Sequence, residues 1–282
     1  MASEPNHWTC PNCETVRESR YCEACGEQPL GPHDLTLRDL LTKFGQSLSS
    51  IDGKAARTFP ALIARPGFLT VAHLRGQRRV FIGPLKVFLI ANAIFFAVQS
   101  ATHTNILSST LESHLYQQDW KEFARSVVAR HLRDTGLSLA DYMPIFDTAV
   151  VFYAKTLIIL MALSFAPIAG LLFASRHRPL GANVVFSLHV HAFILLLFCV
   201  SLGISELNLV MGGQGLVSPS LDLGLSIFNL TAAAAYLYLA IGPVYGATGF
   251  ARIAKAALLA IVLAATVIGY RFLIFLITIT FT

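Results

Sequence analysis

Residues 183–204 read NVVFSLHVHAFILLLFCVSLGI and contain no Asp, Glu, Lys or Arg over 22 positions. An α-helix rises about 1.5 Å per residue, so about 20 apolar residues cross the ~30 Å hydrocarbon core of a bilayer. Four other apolar runs accompany this one, near 84–101, 148–173, 223–245 and 254–280. The sequence therefore predicts an all-α polytopic membrane protein with about five transmembrane helices.

The overall composition agrees with a membrane protein. Of the 282 residues, 55% are apolar and only 13% are charged, whereas soluble domains carry about 25% charged residues. The net charge is +5, but the basic residues are concentrated in the N-terminal third and in short loops. That distribution is typical of membrane topology, and we expect no nucleic-acid partner.

The chain divides into three predicted parts. Residues 1–31 are polar and rich in cysteine, and residues 34–83 form a basic, amphipathic, juxtamembrane helical segment. Residues 84–282 form the five-helix transmembrane domain, with an external helical loop at 102–147. The helices of 34–83 either lie on the bilayer surface or pack on the cysteine-rich part or on the cytosolic ends of the bundle.

The loops differ in their basic charge, and this difference predicts the orientation. Fourteen Lys and Arg residues fall on the side of the N-terminus and four on the opposite side. The positive-inside rule then places the N-terminus in the cytosol, and five crossings leave the C-terminus outside. The first residues contain no apolar run, so we expect no cleavable signal peptide.

Four cysteines form two CxxC motifs near the N-terminus, Cys10-Pro-Asn-Cys13 and Cys22-Glu-Ala-Cys25. In a reducing cytosol such pairs favour metal binding over disulfides. Two CxxC turns can close one tetrahedral Zn²⁺ site, which leaves no position open for substrate. We therefore predict a Cys₄ zinc ribbon with one structural zinc per chain; iron–sulfur or redox chemistry is the alternative.

Two cations and an amide lie well away from the ends of the predicted spans. Lys155, Arg271 and Asn229 all fall in the outer half of the bilayer, and segments two to five contain no carboxylate. Ionisable residues inside a membrane are costly and indicate function by default. These three side chains could converge on an anionic ligand such as a lipid phosphate. The alternative is that Lys155 and Arg271 extend individually to the interface.

His189 and His191 are two residues apart in the third span. On a regular helix that spacing separates them by about 200°, so they do not face a common ligand. We expect one to face the bundle and the other to face the lipid boundary or a loop. Each is interpreted as a neutral histidine hydrogen-bonded between helices, with a proton relay or metal site as the alternative.

A cluster of arginines precedes the first span and comprises Arg75, Arg78 and Arg79. Basic residues at this position favour contact with anionic lipid, although fixing the topology would also explain them. We predict no catalytic residues, because the sequence contains no serine-hydrolase elbow, HExxH, Walker A or dinucleotide fingerprint.

Four stretches carry a family resemblance. They are Cys10/Cys13 with Tyr21–Gly26, Asp52 to Gly67, Leu74-Arg75-Gly76-Gln77-Arg78-Arg79 leading to Lys86, and Phe186–Phe193. Together they resemble a bacterial family of uncharacterised inner-membrane proteins with a domain of unknown function behind an N-terminal zinc ribbon. Gln77 departs from the pattern, in which Gly-Lys-Arg is expected. The resemblance implies a bacterial inner-membrane location and zinc, but no activity.

A second similarity, in topology alone, is to five-helix membrane proteins of the Yip1 type.

These observations lead to a functional expectation with an alternative. The leading one is a non-enzymatic adaptor or membrane-organising protein, whose ribbon docks a protein partner while the bundle contacts anionic lipid. The alternative is a carrier or enzyme for a lipid-linked anion held by the intramembrane cations. Histidine-mediated transport of protons or metal is a third possibility.

Overall fold

The computed structural model describes residues 8–18, 21–22, 24 and 53–282. Two short strands, β1 (Trp8–Thr9) and β2 (Val16–Arg17), pair in an antiparallel hairpin. Ten α-helices follow within the described residues: α1 (Lys54–Ala64), α2 (Phe68–Leu74), α3 (Pro84–Ala101), α4 (Leu111–Tyr116), α5 (Lys121–Thr135), α6 (Leu139–Leu157), α7 (Ile159–Leu172), α8 (Leu180–Val210), α9 (Pro219–Tyr245) and α10 (Gly249–Phe281). The first part of the predicted juxtamembrane segment, 34–52, lies outside the described residues.

Four to five helices of the described chain could span a membrane, as expected for a multi-pass membrane protein. Helices α3, α8, α9 and α10 each have the length and apolar composition required, and α6 with α7 forms a fifth candidate if the bent pair is one span. Helix α3 has the predicted bounds, but the other candidate spans begin before their apolar runs. Helix α6, for example, begins nine residues before 148, because the Ser138 side chain caps its first turn by accepting from the Asp141 amide. Hydropathy marks the lipid-facing part of a helix but not its polar first turns.

Helix α8 lies at the centre of the bundle. Residues 181–192 are buried without interruption, and α8 packs against α3, α7 and α9 as well as the short helices α1 and α2. A helix that is apolar on all sides is suited to such a central position. Both histidines of the third span are therefore buried, and the expectation that one of them faces the lipid boundary or a loop is wrong.

The predicted second span is bent by 45° where α6 ends and α7 begins. A helix break frees backbone carbonyls, and in hydrocarbon each free carbonyl needs another donor. Here the Tyr270 hydroxyl of α10 donates to the Ala154 carbonyl at 2.7 Å. The Asn92 amide of α3 donates to the Lys155 carbonyl at 3.5 Å. Side chains from two neighbouring helices thus stabilise the bend.

Helices α1 and α2 pack on the bundle. The backbone of Gly67, at the start of α2, lies so close to Ala240 of α9 that an added Cβ would be 2.6 Å from the Ala240 carbonyl oxygen. Thr70 of α2 reaches His189 of α8, with 2.9 Å between Oγ1 and Nδ1. Thr58 of α1 accepts a hydrogen bond from the Ile82 amide at 3.0 Å, just before α3 begins. The described part of the juxtamembrane segment is therefore joined to the helices by specific contacts.

Four basic residues, in the loop after α7 and in the first turns of α10, donate hydrogen bonds to carbonyls at or near the C-terminal ends of α7 and α9. Lys255 donates to the Leu172 carbonyl, Arg178 to that of Val244, and Arg176 to that of Gly246. Arg252 donates to the carbonyls of Tyr238 and Leu239. Cations are favourable at helix C-termini, where carbonyls lack intrahelical partners. These residues stabilise the ends of α7 and α9, whatever they also contribute to topology.

Candidate functional site

The cysteine cluster is built by the β1–β2 hairpin. The Cys10 amide donates to the Thr15 carbonyl and the Glu14 amide to the Cys10 carbonyl, at 2.9 and 2.8 Å. This tight turn brings Cys10 and Cys13 together, and the sulfur of Cys22 lies close to both. The Thr15 hydroxyl lies 2.9 Å from the Cys13 sulfur, and this hydrogen bond holds the pKa of the Cys13 thiol below its usual value. A lowered pKa favours the thiolate, which is the form that binds metal.

The arrangement of the sulfur atoms fits a metal ion. The Sγ atoms of Cys10, Cys13 and Cys22 all lie within 4.8 Å of one another, and those of Cys13 and Cys22 are 3.4 Å apart. A tetrahedral site with metal–sulfur bonds of about 2.3 Å needs sulfur atoms about 3.8 Å apart. Three thiols are therefore in place for one metal ion. Cys25, the fourth predicted ligand, lies outside the described residues.

The cysteine cluster is joined to the basic segment that precedes the first span. The Gln77 side-chain amide donates to the Pro11 carbonyl at 2.9 Å. Pro11 lies between the two cysteines of the first CxxC motif, so the contact reaches the metal-binding turn itself. Of the three predicted lipid-contacting arginines, Arg75 and Arg79 are exposed and Arg78 is half-buried. Gln77, the residue that departs from the family pattern, thus has a definite structural role.

A second candidate site is a cavity of 390 Å³ between α8, α9 and α10. That volume is within the range of small-molecule sites, about 300–1,000 Å³. Most of its lining is Leu, Ile, Val and Ala, and its polar residues are Ser201, Asp222, Ser226, Asn229 and Arg271. Ser201 donates to the Asn229 side-chain oxygen at 2.8 Å. The Arg271 Nε and Nη2 atoms donate to the Ser109 hydroxyl at 3.1 and 2.8 Å.

The structure brings together Arg271 and Asn229, but it separates Lys155 from them. Lys155 is exposed, its Nζ lies 5.7 Å from the centroid of the Phe96 ring, and it does not line the cavity. The predicted convergence of all three side chains is therefore wrong. Counting residues gives the depth of a side chain in the membrane, but not the direction in which it leaves the helix.

Asp222 was not predicted as part of this site. It belongs to the first turn of α9, because that helix begins at Pro219 rather than at 223. Its carboxylate lines the same cavity as Arg271. The signal was present in Ser218-Pro219, because proline at the first helical position is a common helix start. The apolar run 223–245 has no carboxylate, but helix α9 begins four residues earlier and includes Asp222.

The buried histidines are held differently. Nδ1 of His189 is hydrogen-bonded to the Thr70 hydroxyl of α2. Nδ1 of His191 instead donates to the Ser187 carbonyl of its own helix at 2.8 Å. Nε2 of His191 is buried and has no hydrogen-bond partner among the described residues. The two side chains leave α8 in different directions, as the spacing predicts. Among the described residues, the groups of three or more His, Cys, Asp or Glu close enough to hold a metal comprise only the cysteine cluster.

A third buried histidine, His114 of α4, predicts a pH response. The Trp120 indole N–H donates to its Nδ1 at 3.1 Å, and its ring lies 4.7 Å from that of Phe275. Burial, with the charge of Arg271 nearby, lowers the pKa of His114 to about 4.

In the unfolded chain this histidine has its ordinary pKa of about 6.5. Between pH 4 and pH 6.5 the unfolded chain therefore binds more protons at His114 than the folded chain does. This contribution to stability is therefore complete above pH 6.5 and is lost as the pH falls towards 4. The free energy of unfolding should fall by about 3 kcal/mol over this pH range.

This response can be measured by the fluorescence of Trp120, with Trp8, the other tryptophan, replaced by Phe. Denaturation midpoints should decrease between pH 6.5 and 4. His114→Gln keeps an acceptor for the indole but does not titrate, so its midpoint should be nearly constant over that range. A midpoint that falls equally in both proteins would show that His114 is not the titrating group.

The comparisons with known proteins reach only part of the chain. Residues 52–96 match a family model described as "Protein of unknown function (DUF3667)". The match runs from the start of α1 through α2 and the arginine cluster into α3. No curated protein and no solved structure matches the chain. The bacterial origin and the similarity to Yip1-type proteins remain predictions. The chain is thus similar to a family without an assigned function, over the segment that packs on the bundle and carries the basic cluster.

Proposed function

We propose that this chain is a non-enzymatic adaptor of the bacterial inner membrane. The Gln77–Pro11 hydrogen bond is the observation that carries this proposal. It links the cysteine module to the basic segment, and that segment is packed on the helices through Gly67 and Thr70. The module would thus be presented at a fixed place on the membrane surface, as partner recognition requires.

The proposed metal is a single structural zinc. Three thiols are gathered by the described residues, and Cys25 is proposed as the fourth ligand. Four cysteine ligands favour zinc and close its coordination sphere, so the metal stabilises the fold and offers no open position for chemistry. The described part of this small module is a two-stranded hairpin, and a hairpin has little core of its own.

The proposed orientation has the N-terminus in the cytosol and the C-terminus outside. The asymmetry of Lys and Arg supports it. Arg75 and Arg79 are exposed on the segment before α3, where they would meet the anionic head groups of the cytosolic leaflet. Each basic residue near such a surface contributes about 1 kcal/mol. The zinc module and the lipid contact would then lie on the same side of the membrane.

A second candidate function is favoured by the cavity at Arg271. A half-buried guanidinium beside an apolar cavity suits a lipid-linked anion, as either a carrier or an enzyme would need. Arg271 and Asn229 would hold the anion in this case, without Lys155. The adaptor remains the leading proposal because the cysteine module and its attachment have no role in the second candidate.

Photo-crosslinking in cells tests the adaptor. A photoreactive amino acid replaces Tyr21, which is 48% exposed beside Cys22. The control position is Tyr116 of α4, which is 56% exposed. We expect a discrete protein adduct from position 21 that disappears in Cys10→Ser, and none of that mass from position 116. An adduct formed equally from both positions, or one that survives Cys10→Ser, would contradict the adaptor.

A further inference from the structure

The cavity between α8, α9 and α10 contains charges of both signs. Arg271 and Asp222 line it together with the uncharged side chains of Ser226 and Asn229. No ion pair within 4 Å joins Arg271 to a carboxylate of the described residues, although Asp222 lines the same cavity. A cation and an anion therefore face one space without neutralising each other directly.

The hydrogen bonds of Arg271 leave it capacity for a ligand. A guanidinium has five N–H donors, and within the described part of the chain Arg271 donates to one neutral acceptor, the Ser109 hydroxyl. Asn229 accepts from Ser201 through its side-chain oxygen, which leaves its amide N–H groups as further donors. Planar guanidinium groups bind phosphate with two parallel hydrogen bonds. A phosphate in the cavity would therefore find charge and donors together.

The remainder of the cavity is suited to hydrocarbon. Leu225, Leu230, Leu263, Val267 and Ile268 line it, on two helices that are themselves candidate spans. Burial of methylene groups against such side chains contributes about 0.8 kcal/mol for each group. An occupant with a polar end and an apolar tail matches this division better than a free inorganic ion.

We propose that the cavity binds a phospholipid whose head group carries a primary ammonium as well as a phosphate. The phosphate contacts Arg271, the ammonium contacts Asp222, and one acyl chain lies along the apolar wall between α9 and α10. This inference deepens the second candidate function, because it names the ligand class of the same cavity, and it does not depend on the adaptor.

Asp222 determines the choice of head group. A lipid with only negative charge gains at Arg271 but is repelled by the carboxylate of Asp222. A choline head group carries the positive charge but has no N–H to donate. A primary ammonium supplies both the charge and the donors. Because Asp222 is exposed, its interaction is worth less than about 1 kcal/mol, which corresponds to a preference of about three- to fivefold.

Native mass spectrometry of the full chain tests this proposal. The protein is equilibrated in mild detergent with equal amounts of phosphatidylethanolamine, phosphatidylcholine and phosphatidylglycerol, and the retained lipids are counted. We expect one retained phosphatidylethanolamine, preferred about three- to fivefold. Arg271→Met should reduce retention by about 10- to 100-fold, as expected when a charged hydrogen bond is lost. The matched control is Lys155→Met, a cation of α6 outside the cavity, which should retain the lipid.

The possible outcomes distinguish an error in the head-group assignment from an error in the lipid-binding site itself. Asp222→Asn should remove the preference for phosphatidylethanolamine while the chain still retains lipid. Its control is Glu206→Gln, because Glu206 is an acid of α8 that does not line the cavity. Preferential retention of phosphatidylglycerol by the native chain would overturn the head-group assignment but leave the anion site in place. Lipid retained equally by Arg271→Met and the native chain, or no retained lipid, would overturn both. If Arg271→Met does not fold, the response of Asp222→Asn decides the head group.

Discussion

Gly67→Ala should detach α2 from the bundle. Gly67 has a φ of 81°, and its added Cβ would lie 2.6 Å from the Ala240 carbonyl oxygen and 3.0 Å from Cγ of Pro243. Backbone atoms cannot move aside as the end of a flexible side chain can. Left-handed backbone costs an alanine about 1–2 kcal/mol, and overpacking adds about 1–3 kcal/mol. We expect a total loss of about 2–5 kcal/mol in the stability of the docked segment.

Hydrogen exchange followed by mass spectrometry measures this loss directly. The amides of α2, residues 68–74, should lose protection by about 30-fold or more. Gly136→Ala is the matched control, because Gly136 has a φ of 72° but no atom of the described residues lies within 4 Å of an added Cβ. It should show only the smaller backbone cost, at the end of α5. Unchanged protection of 68–74 in Gly67→Ala would mean that α2 does not pack on α9 as described.

Cys10→Ser should unfold the cysteine module and leave the helices intact. Cys10 is fully buried, and its sulfur completes the cluster with those of Cys13 and Cys22. Metal binding in such a small module supplies its folding free energy, about 10–16 kcal/mol for structural zinc. Loss of one thiolate should weaken metal binding by at least about 100-fold, since even outer-shell changes cost about 10- to 100-fold. The hydrophobic clusters of the bundle contain none of these residues.

The readouts for Cys10→Ser are metal content and hydrogen exchange. Metal should fall to background, and the amides of 8–18 should exchange at unfolded rates, while α8 and α10 keep their protection. Cys199→Ser, a half-buried cysteine of α8, is the control and should retain the metal. A module that remains protected without metal would contradict the structural role of the site.

Hydropathy predicted the membrane helices because lipid imposes a simple requirement. A span must be apolar over about 20 residues, and the runs ending at Ala101 and Tyr245 end where α3 and α9 do. Hydropathy could not predict the 45° bend after Leu157, because the donors that stabilise it come from Tyr270 and Asn92 on other helices. A bend supported by distant residues leaves little trace in the local sequence.

The candidate sites were predictable to different extents. The CxxC spacing identifies candidate metal ligands because the two cysteines of one turn are close in any fold that keeps the turn. The lining of the cavity depends on how α8, α9 and α10 pack, which the sequence does not give directly. The prediction from the sequence therefore included Arg271 and Asn229, which line the cavity, added Lys155, which does not, and left out Asp222. Ser109, which holds Arg271, lies 162 positions away in the chain. No local pattern could have paired these two residues.

The zinc content of the purified full chain tests the central claim most directly. Elemental analysis, together with the intact mass under native conditions, gives the metal and its stoichiometry in one preparation. The adaptor account predicts one zinc per chain, with none in Cys10→Ser. A chain whose cysteines are joined in disulfides without metal, or one that carries an iron–sulfur cluster, would contradict it.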